Sequence, residues 1–141
     1  MKTAIIYASK SGAARECAEL LASKLPECTV HDLKKEIPDI GNAEMVIIGS
    51  GVRMGRTYGI VRKFINKNLE KLLTKKTALY LCNADPKAYD EAVEKNFPSQ
   101  LLINSLCVKS FGGKMPFQAA KNPNWVLTEN IEAFIKAVIE A

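Results

Sequence analysis

At 141 residues the chain has room for one compact domain, spanning 1–141, and hardly for two. Hydrophobic residues make up 48% and charged residues 25%, a balance that excludes a disordered or fibrous chain. Lys and Arg number 20 against 15 Asp and Glu, a net charge of +5 that favours acidic small molecules or partners but is too dispersed to announce nucleic acid. The longest apolar runs, 45–48 and 77–82, fall far short of the roughly 20 residues that span a bilayer. Met1-Lys2-Thr3 leads straight into a strand-like segment with no long apolar leader, so the expected location is the cytoplasm, without stable membrane insertion. Cys17, Cys28, Cys82 and Cys107 form no CxxC pair and stand away from the only histidine, His31. That spacing excludes a zinc site, and all four cysteines read as small buried hydrophobes.

In chain order, Thr3 to Ala8 is a short apolar run rich in β-formers. Ala14, Cys17, Ala18, Leu21 and Leu25 then make one helical stripe, stopped by Pro26. Cys28 to Leu33 reads as an outer strand, and 37–43, with Pro38 and Gly41, as a connector. Met45 to Ile48 is apolar at every position, as a strand covered on both faces requires. Val61, Phe64, Ile65, Leu69, Leu72 and Leu73 mark a second helix, and Thr77 to Cys82 a further buried strand. Ala88 to Leu106 is helical but interrupted at Pro98, which disfavours the α conformation at Phe97. Cys107 to Phe111 is the last strand, and the last helix follows Thr128 as N-cap, with Ile131, Phe134, Ile135, Val138 and Ile139 inward. This alternation predicts an α/β three-layer sandwich, a five-stranded parallel sheet in the order 2-1-3-4-5, with its ligand at the carboxyl ends of strands 1 and 3.

Two polar loops fall at those ends. Ser9-Lys10-Ser11-Gly12-Ala13-Ala14-Arg15 offers hydroxyls, a glycine and the free amides of a helix start, a cradle for phosphate. The stretch from Gly49 to Gly59 holds four of the eight glycines together with Arg53 and Arg56, and its glycines would let backbone approach a flat ligand. Several motifs fail. The sixth position of a GxGxxG that opens at Gly49 is Met54, and no GxxxxGK[ST] occurs. A receiver domain would need acidic residues where Ser9-Lys10 and Gly49-Ser50 stand. Ser9-x5-Arg15 has the spacing of a phosphatase loop but lacks the thiolate nucleophile.

Ser9-Lys10-Ser11-Gly12-Ala13-Ala14 resembles the flavodoxin phosphate loop, [ST]-x-[ST]-G-x-[ST]. With Arg15-Glu16 and the segment from Ile48 to Arg56, the chain is similar to flavodoxin-domain proteins related to menaquinone-dependent protoporphyrinogen oxidase, well to about Asn83 and by order of elements beyond. The resemblance implies FMN as cofactor. Ser9, Lys10, Ser11, Gly12 and Ala13, with Ala14, would hold its phosphate. Ser50, Gly51, Val52, Arg53, Met54, Gly55 and Arg56 would flank the ring on one side, and Cys82, Asn83 and Asp85 on the other. Lys10 and Arg15 would balance the phosphate charge, and Arg53 would favour the reduced ring, unless it and Arg56 are solvated loop residues.

The chain departs from the family pattern at three places. Ala14 lacks the last hydroxyl of the motif, a hydrogen bond worth about 1 kcal/mol or somewhat more. Met54 stands where relatives often carry an aromatic, with Tyr58 and Tyr89 as substitutes. Lys114 to Leu127, with Met115, Phe117 and Trp125, is short where the oxidases carry a long basic insertion. The positive net charge also differs from acidic carrier flavodoxins and would call for acidic partners. Cys82 reads as core or as a redox thiol, Asn83 as a ring contact or a turn former before Pro86, Asp85 as a helix cap, and His31 as a surface residue. The implied function is electron transfer through non-covalent FMN, with a redox protein or a small-molecule donor or acceptor as partner. Porphyrinogen oxidation is the alternative, and a flavin-free binding module, favoured by Ala14 and Met54, is a third reading.

Overall fold

Thr3–Ala8 (β1), Met45–Arg53 (β3) and Lys76–Cys82 (β5) are almost wholly buried in the computed structural model, which describes residues 1–85, 88–114 and 125–141. Strands covered on both faces need runs of apolar side chains rather than alternation, and 4–8, 45–48 and 78–82 supply them. Cys28–Asp32 (β2) and Ser105–Ser110 (β6), half exposed, form the two edges. All five pair in parallel in the order β2-β1-β3-β5-β6. The expected path is therefore present. A sixth, two-residue strand, Arg56–Thr57 (β4), pairs antiparallel with β3 off that path.

The helices are Ala13–Lys24 (α1), Gly59–Leu73 (α2), Tyr89–Asn96 (α3), Ser99–Asn104 (α4) and Thr128–Ile139 (α5). The α1 stripe is buried as its period requires, with Ala13 added to it. Pro98 divides α3 from α4 with Phe97 extended, as the sequence implies. Thr128 is a correction: it is the first residue of α5, Leu127 takes the N-cap position, and no side chain caps the end. Ile139 is another, since it is 59% exposed rather than inward. Two more concern Cys28 and Cys107, which are only half-buried because their strands are edges.

The sheet separates two cores. On one face α1 and α5 pack on Ile5, Tyr7, Ile47, Tyr80 and Phe111. On the other, α2, α3 and α4 cover Ile6, Ile48, Leu79 and Leu81. Tyr80 is fully buried, stacked on Phe111 with ring centroids 4.8 Å apart, and its hydroxyl donates to the Ala14 carbonyl at 2.9 Å. The register sets Ala8 beside Ser50 and Gly51 beside Cys82, so the ends of β1, β3 and β5 open on one rim.

Candidate functional site

The loop from Ser9 to Gly12 joins β1 to α1. Gly12 stands at the N-cap with φ 94°, a left-handed conformation that glycine adopts without strain. The nearest atom to a Cβ added there is 4.0 Å away, so the requirement for glycine is conformational, not steric. First-turn amides of a helix lack partners inside it. Here the Gly12 amide donates to Ser9 Oγ at 3.0 Å and the Ala13 amide to Ser11 Oγ at 3.4 Å. Two hydroxyls and two amides thus lie together at the start of α1, at the positive end of its dipole. Ala14 is buried, its side chain in the core and its carbonyl held by Tyr80.

Cations surround this loop. Lys10 is exposed, with Nζ 4.9 Å from the Tyr58 ring centroid, and Arg15 is exposed on the first turn of α1. Glu16, which would oppose an anion, is paired with Lys114, whose Nζ also lies 5.2 Å over the Trp125 ring. Lys34 donates from its ammonium to the Ser9 carbonyl. Its turn is fixed by Asp32, whose Oδ1 accepts the Lys34 amide at 2.9 Å. Lys34 belongs to no motif, although strand order 2-1-3 puts the end of β2 beside that of β1.

The glycine-rich stretch is a correction in form. Instead of a loop after Ile48, β3 continues to Arg53 and turns back through Met54 (φ 54°) and Gly55 (φ 79°) into β4. Two central residues with positive φ are the mark of a type I′ hairpin. Gly49 and Gly51 are accounted for by packing: a Cβ on Gly49 would lie 1.9 Å from Tyr80 Cζ, and one on Gly51 2.5 Å from the Tyr58 hydroxyl. Ser50 is fully buried. Its hydroxyl donates to the Gly51 carbonyl at 2.7 Å and accepts the Tyr58 amide at 3.2 Å, which locks the base of the hairpin to α2. Val52 packs on the α2 side of the sheet.

Asn96, also outside any motif, clamps the hairpin to α3. Its Oδ1 accepts the Thr57 amide at 3.1 Å, and its Nδ2 donates to the carbonyls of Gly55 at 2.9 Å and Ala92 at 2.7 Å. Asn96→Ala is therefore expected to cost about 1–3 kcal/mol, because the buried Thr57 amide loses its acceptor. Urea unfolding checks the stability, and faster hydrogen exchange at Thr57 should accompany the loss.

At the end of β5, Asn83 is 4% exposed and its side chain is committed to the fold. Its Oδ1 accepts the Ser110 hydroxyl and its Nδ2 donates to the Asp85 carbonyl, both at 2.7 Å. Of its two readings this is the turn-forming one, with Pro86 outside the described residues. Gly113 backs the same turn, since a Cβ there would lie 2.8 Å from the Ala84 amide nitrogen. Asp85 is exposed at its outer side. Cys82 points into the α1 core, 3.9 Å from Cys17 Sγ. The neighbouring thiol, then burial, holds its pKa well above the ordinary range, so no thiolate forms near neutrality.

Lys10, Lys34, Arg53, Met54, Arg56 and Tyr58 line one open groove of about 520 Å³. Lys10 is the one residue of the loop from Ser9 to Ala14 that lines it, while Ser9, Ser11, Gly12, Ala13 and Ala14 do not. Cys82, Asn83 and Asp85 do not line that groove. Tyr58 and Tyr89 both pack partly buried on the α2 core, and Tyr58 closes the groove wall beside Lys10. Met115 and Phe117 lie outside the described residues, while Trp125 packs against the α1 core. His31 lies at the surface on the edge strand β2, held to Glu36 at 2.6 Å and Thr29 at 2.9 Å.

A family model described as a flavodoxin domain matches residues 4–122. The chain belongs to the flavodoxin family. It is 31% identical, over 114 residues, to the protoporphyrinogen IX dehydrogenase [quinone] of Escherichia coli strain K12, and to those of two further strains. That match takes in 74% of this flavodoxin-family chain and 62% of the relative, so the chain spans less than two thirds of the curated proteins it matches. Among solved structures it is similar to the Streptococcus pneumonia TIGR4 flavodoxin, with a TM-score of 0.63 and 18% identity over 99% of both chains. A flavoprotein in complex with FMN from Lactobacillus acidophilus NCFM gives a TM-score of 0.61 and 18% identity, over 77% of this chain and 92% of that one. These likenesses show the flavodoxin fold.

Proposed function

We propose that this flavodoxin-family chain binds FMN non-covalently and acts as an electron-transfer protein. The observation that carries the reading is the convergence of Ser9 Oγ, Ser11 Oγ and the Gly12 and Ala13 amides at the start of α1, with Lys10, Arg15 and Lys34 around them. That donor set fits a phosphate monoester. Both hydroxyls can turn from the amides to the anion, and the amides are then free to donate to it. The FMN held by the Lactobacillus acidophilus flavoprotein supports the same ligand.

Bound FMN supplies reversible electron transfer at its ring. The chain's own residues position it. The hairpin from Ser50 to Arg56 would hold one side of the ring and the turn from Cys82 to Asp85 the other, through backbone groups, since the Asn83 and Cys82 side chains are engaged in the fold. Arg53 would favour added negative charge on the ring. Electrons would pass to a redox protein or a small-molecule donor or acceptor. No helix of the described residues is long and apolar enough to cross a membrane.

The test is a visible spectrum of the purified protein, then titration of the stripped form with FMN and riboflavin. FMN should bind with a Kd near or below about 1 μM, and riboflavin about 100-fold more weakly, because the charge-assisted phosphate contacts are lost. No binding at high micromolar FMN removes the redox reading. A second reading, favoured by the 31% identity, is quinone-dependent oxidation of a porphyrinogen. Turnover of protoporphyrinogen by the FMN-loaded chain with a quinone would establish it, and its absence would leave the carrier.

A further inference from the structure

Helix α5 carries more apolar surface than the fold covers. Ile131, Phe134 and Val138 are buried, but Ile135 is only half-buried and Ile139 is 59% exposed. A helix packed on a single core buries its apolar stripe and turns a polar face to water. Here the stripe runs past the core and meets Leu20, itself exposed, on the neighbouring helix α1. With Val126 these side chains line an open groove of about 490 Å³ between the two helices. Lys24, Glu132, Lys136 and Glu140 stand around it, and all four are exposed.

We propose that the chain self-associates through this groove, each copy laying its α1–α5 face on that of another across a two-fold axis. The charge pattern favours a second copy over other occupants. With a net charge of +5, two copies repel at a distance, so contact between them belongs where the charge balances. Here two cations stand with two carboxylates, whereas the groove of Lys10, Lys34, Arg53 and Arg56 carries one sign only. Two-fold contact puts the same patch on both sides, so the lysines of each copy meet carboxylates of the other. Along α5 the signs alternate one turn apart at Glu132, Lys136 and Glu140, a pattern that an antiparallel copy offset by a turn matches. An anionic lipid surface or an acidic partner would call for a basic rim, and this rim is neutral. The apolar centre supplies attraction by leaving water, and the charged rim sets the register. None of these residues belongs to the candidate site, so the inference stands whether or not flavin binds.

Sedimentation velocity of the chain from about 1 to about 300 μM is the test, and a monomer–dimer equilibrium with a Kd near about 10 μM is expected for a contact of small area. Ile139→Gln should weaken it about tenfold, because association then buries an amide without a partner, once from each copy. Thermal unfolding of that variant at about 1 μM, where the chain is monomeric, should not move, since Ile139 is 59% exposed. K136E leaves one cation and three carboxylates on the rim, and E132K three cations and one carboxylate, so each should self-associate about tenfold more weakly. Mixed together, the two variants should pair about as tightly as the original chain, because their rims are then complementary. A monomer at about 300 μM, a dimer that Ile139→Gln leaves intact, or variants that gain nothing on mixing overturns the proposal. Binding of dodecanoate by a chain that stays monomeric overturns it in favour of a lipid tail.

Discussion

Replacing Ser9 and Ser11 together by alanine should lower FMN affinity about 20-fold and leave riboflavin affinity unchanged. A hydrogen bond to a charged acceptor contributes about 1.5–3 kcal/mol, so two hydroxyls lost from a phosphate would give a larger factor if nothing offset them. The offset is visible in the structure. Without ligand each hydroxyl already accepts an amide, Gly12 at 3.0 Å and Ala13 at 3.4 Å, so anion entry exchanges bonds rather than adding them. Alanine at these positions also frees those amides, which returns part of the loss. Equilibrium titration with the two flavins measures the effect, and thermal unfolding of the apoprotein should show little change because the loop is partly exposed. An equal fall in riboflavin affinity would mean that the loop supports the ring and not the phosphate.

Gly49→Ala should cost about 3 kcal/mol or more, at the upper end of overpacking in a core. The added Cβ would sit 1.9 Å from Tyr80 Cζ and 2.3 Å from both Cε atoms, a ring face and not a flexible end. Tyr80 cannot withdraw, since Phe111 stacks on it at 4.8 Å, Phe134 meets it edge-on at 6.2 Å, and its hydroxyl is bonded to the Ala14 carbonyl. Urea unfolding gives the value, and a double-mutant cycle with Tyr80→Leu gives the cause. The smaller side chain should make the second loss much less than additive. Strict additivity would show that Gly49 matters for another reason.

Much of this architecture is legible in the sequence because its signals are local. Continuous apolar runs mark β1, β3 and β5, Pro98 marks the break between α3 and α4, and Ser9 to Gly12 marks the turn from β1 into α1 by residue type alone. What escaped depends on partners distant in the chain. Gly49 and Gly51 look like room for a ligand until Tyr80 and Tyr58 are seen to fill that room. Met54-Gly55 lacks the Asn-Gly or Asp-Gly signature of a tight hairpin, so β4 was invisible. Asn96 and Lys34 carry no motif and reach the site only through tertiary contacts. Thr128 has the right residue type for a cap but lies one position inside α5.

The two halves of the site rest on different foundations. The phosphate-type loop leads into Ala13 and Ala14, which are part of the core beneath α1 and α5, whereas Val52 and Tyr58 of the hairpin pack on the core beneath α2. The sheet stands between them. Repacking one core shifts one half of the candidate site and leaves the other where it was, so the geometry of the loop and the character of the hairpin face are separately adjustable. Selection acting on such a chain is free to alter the hairpin face while leaving the loop at the start of α1 in place.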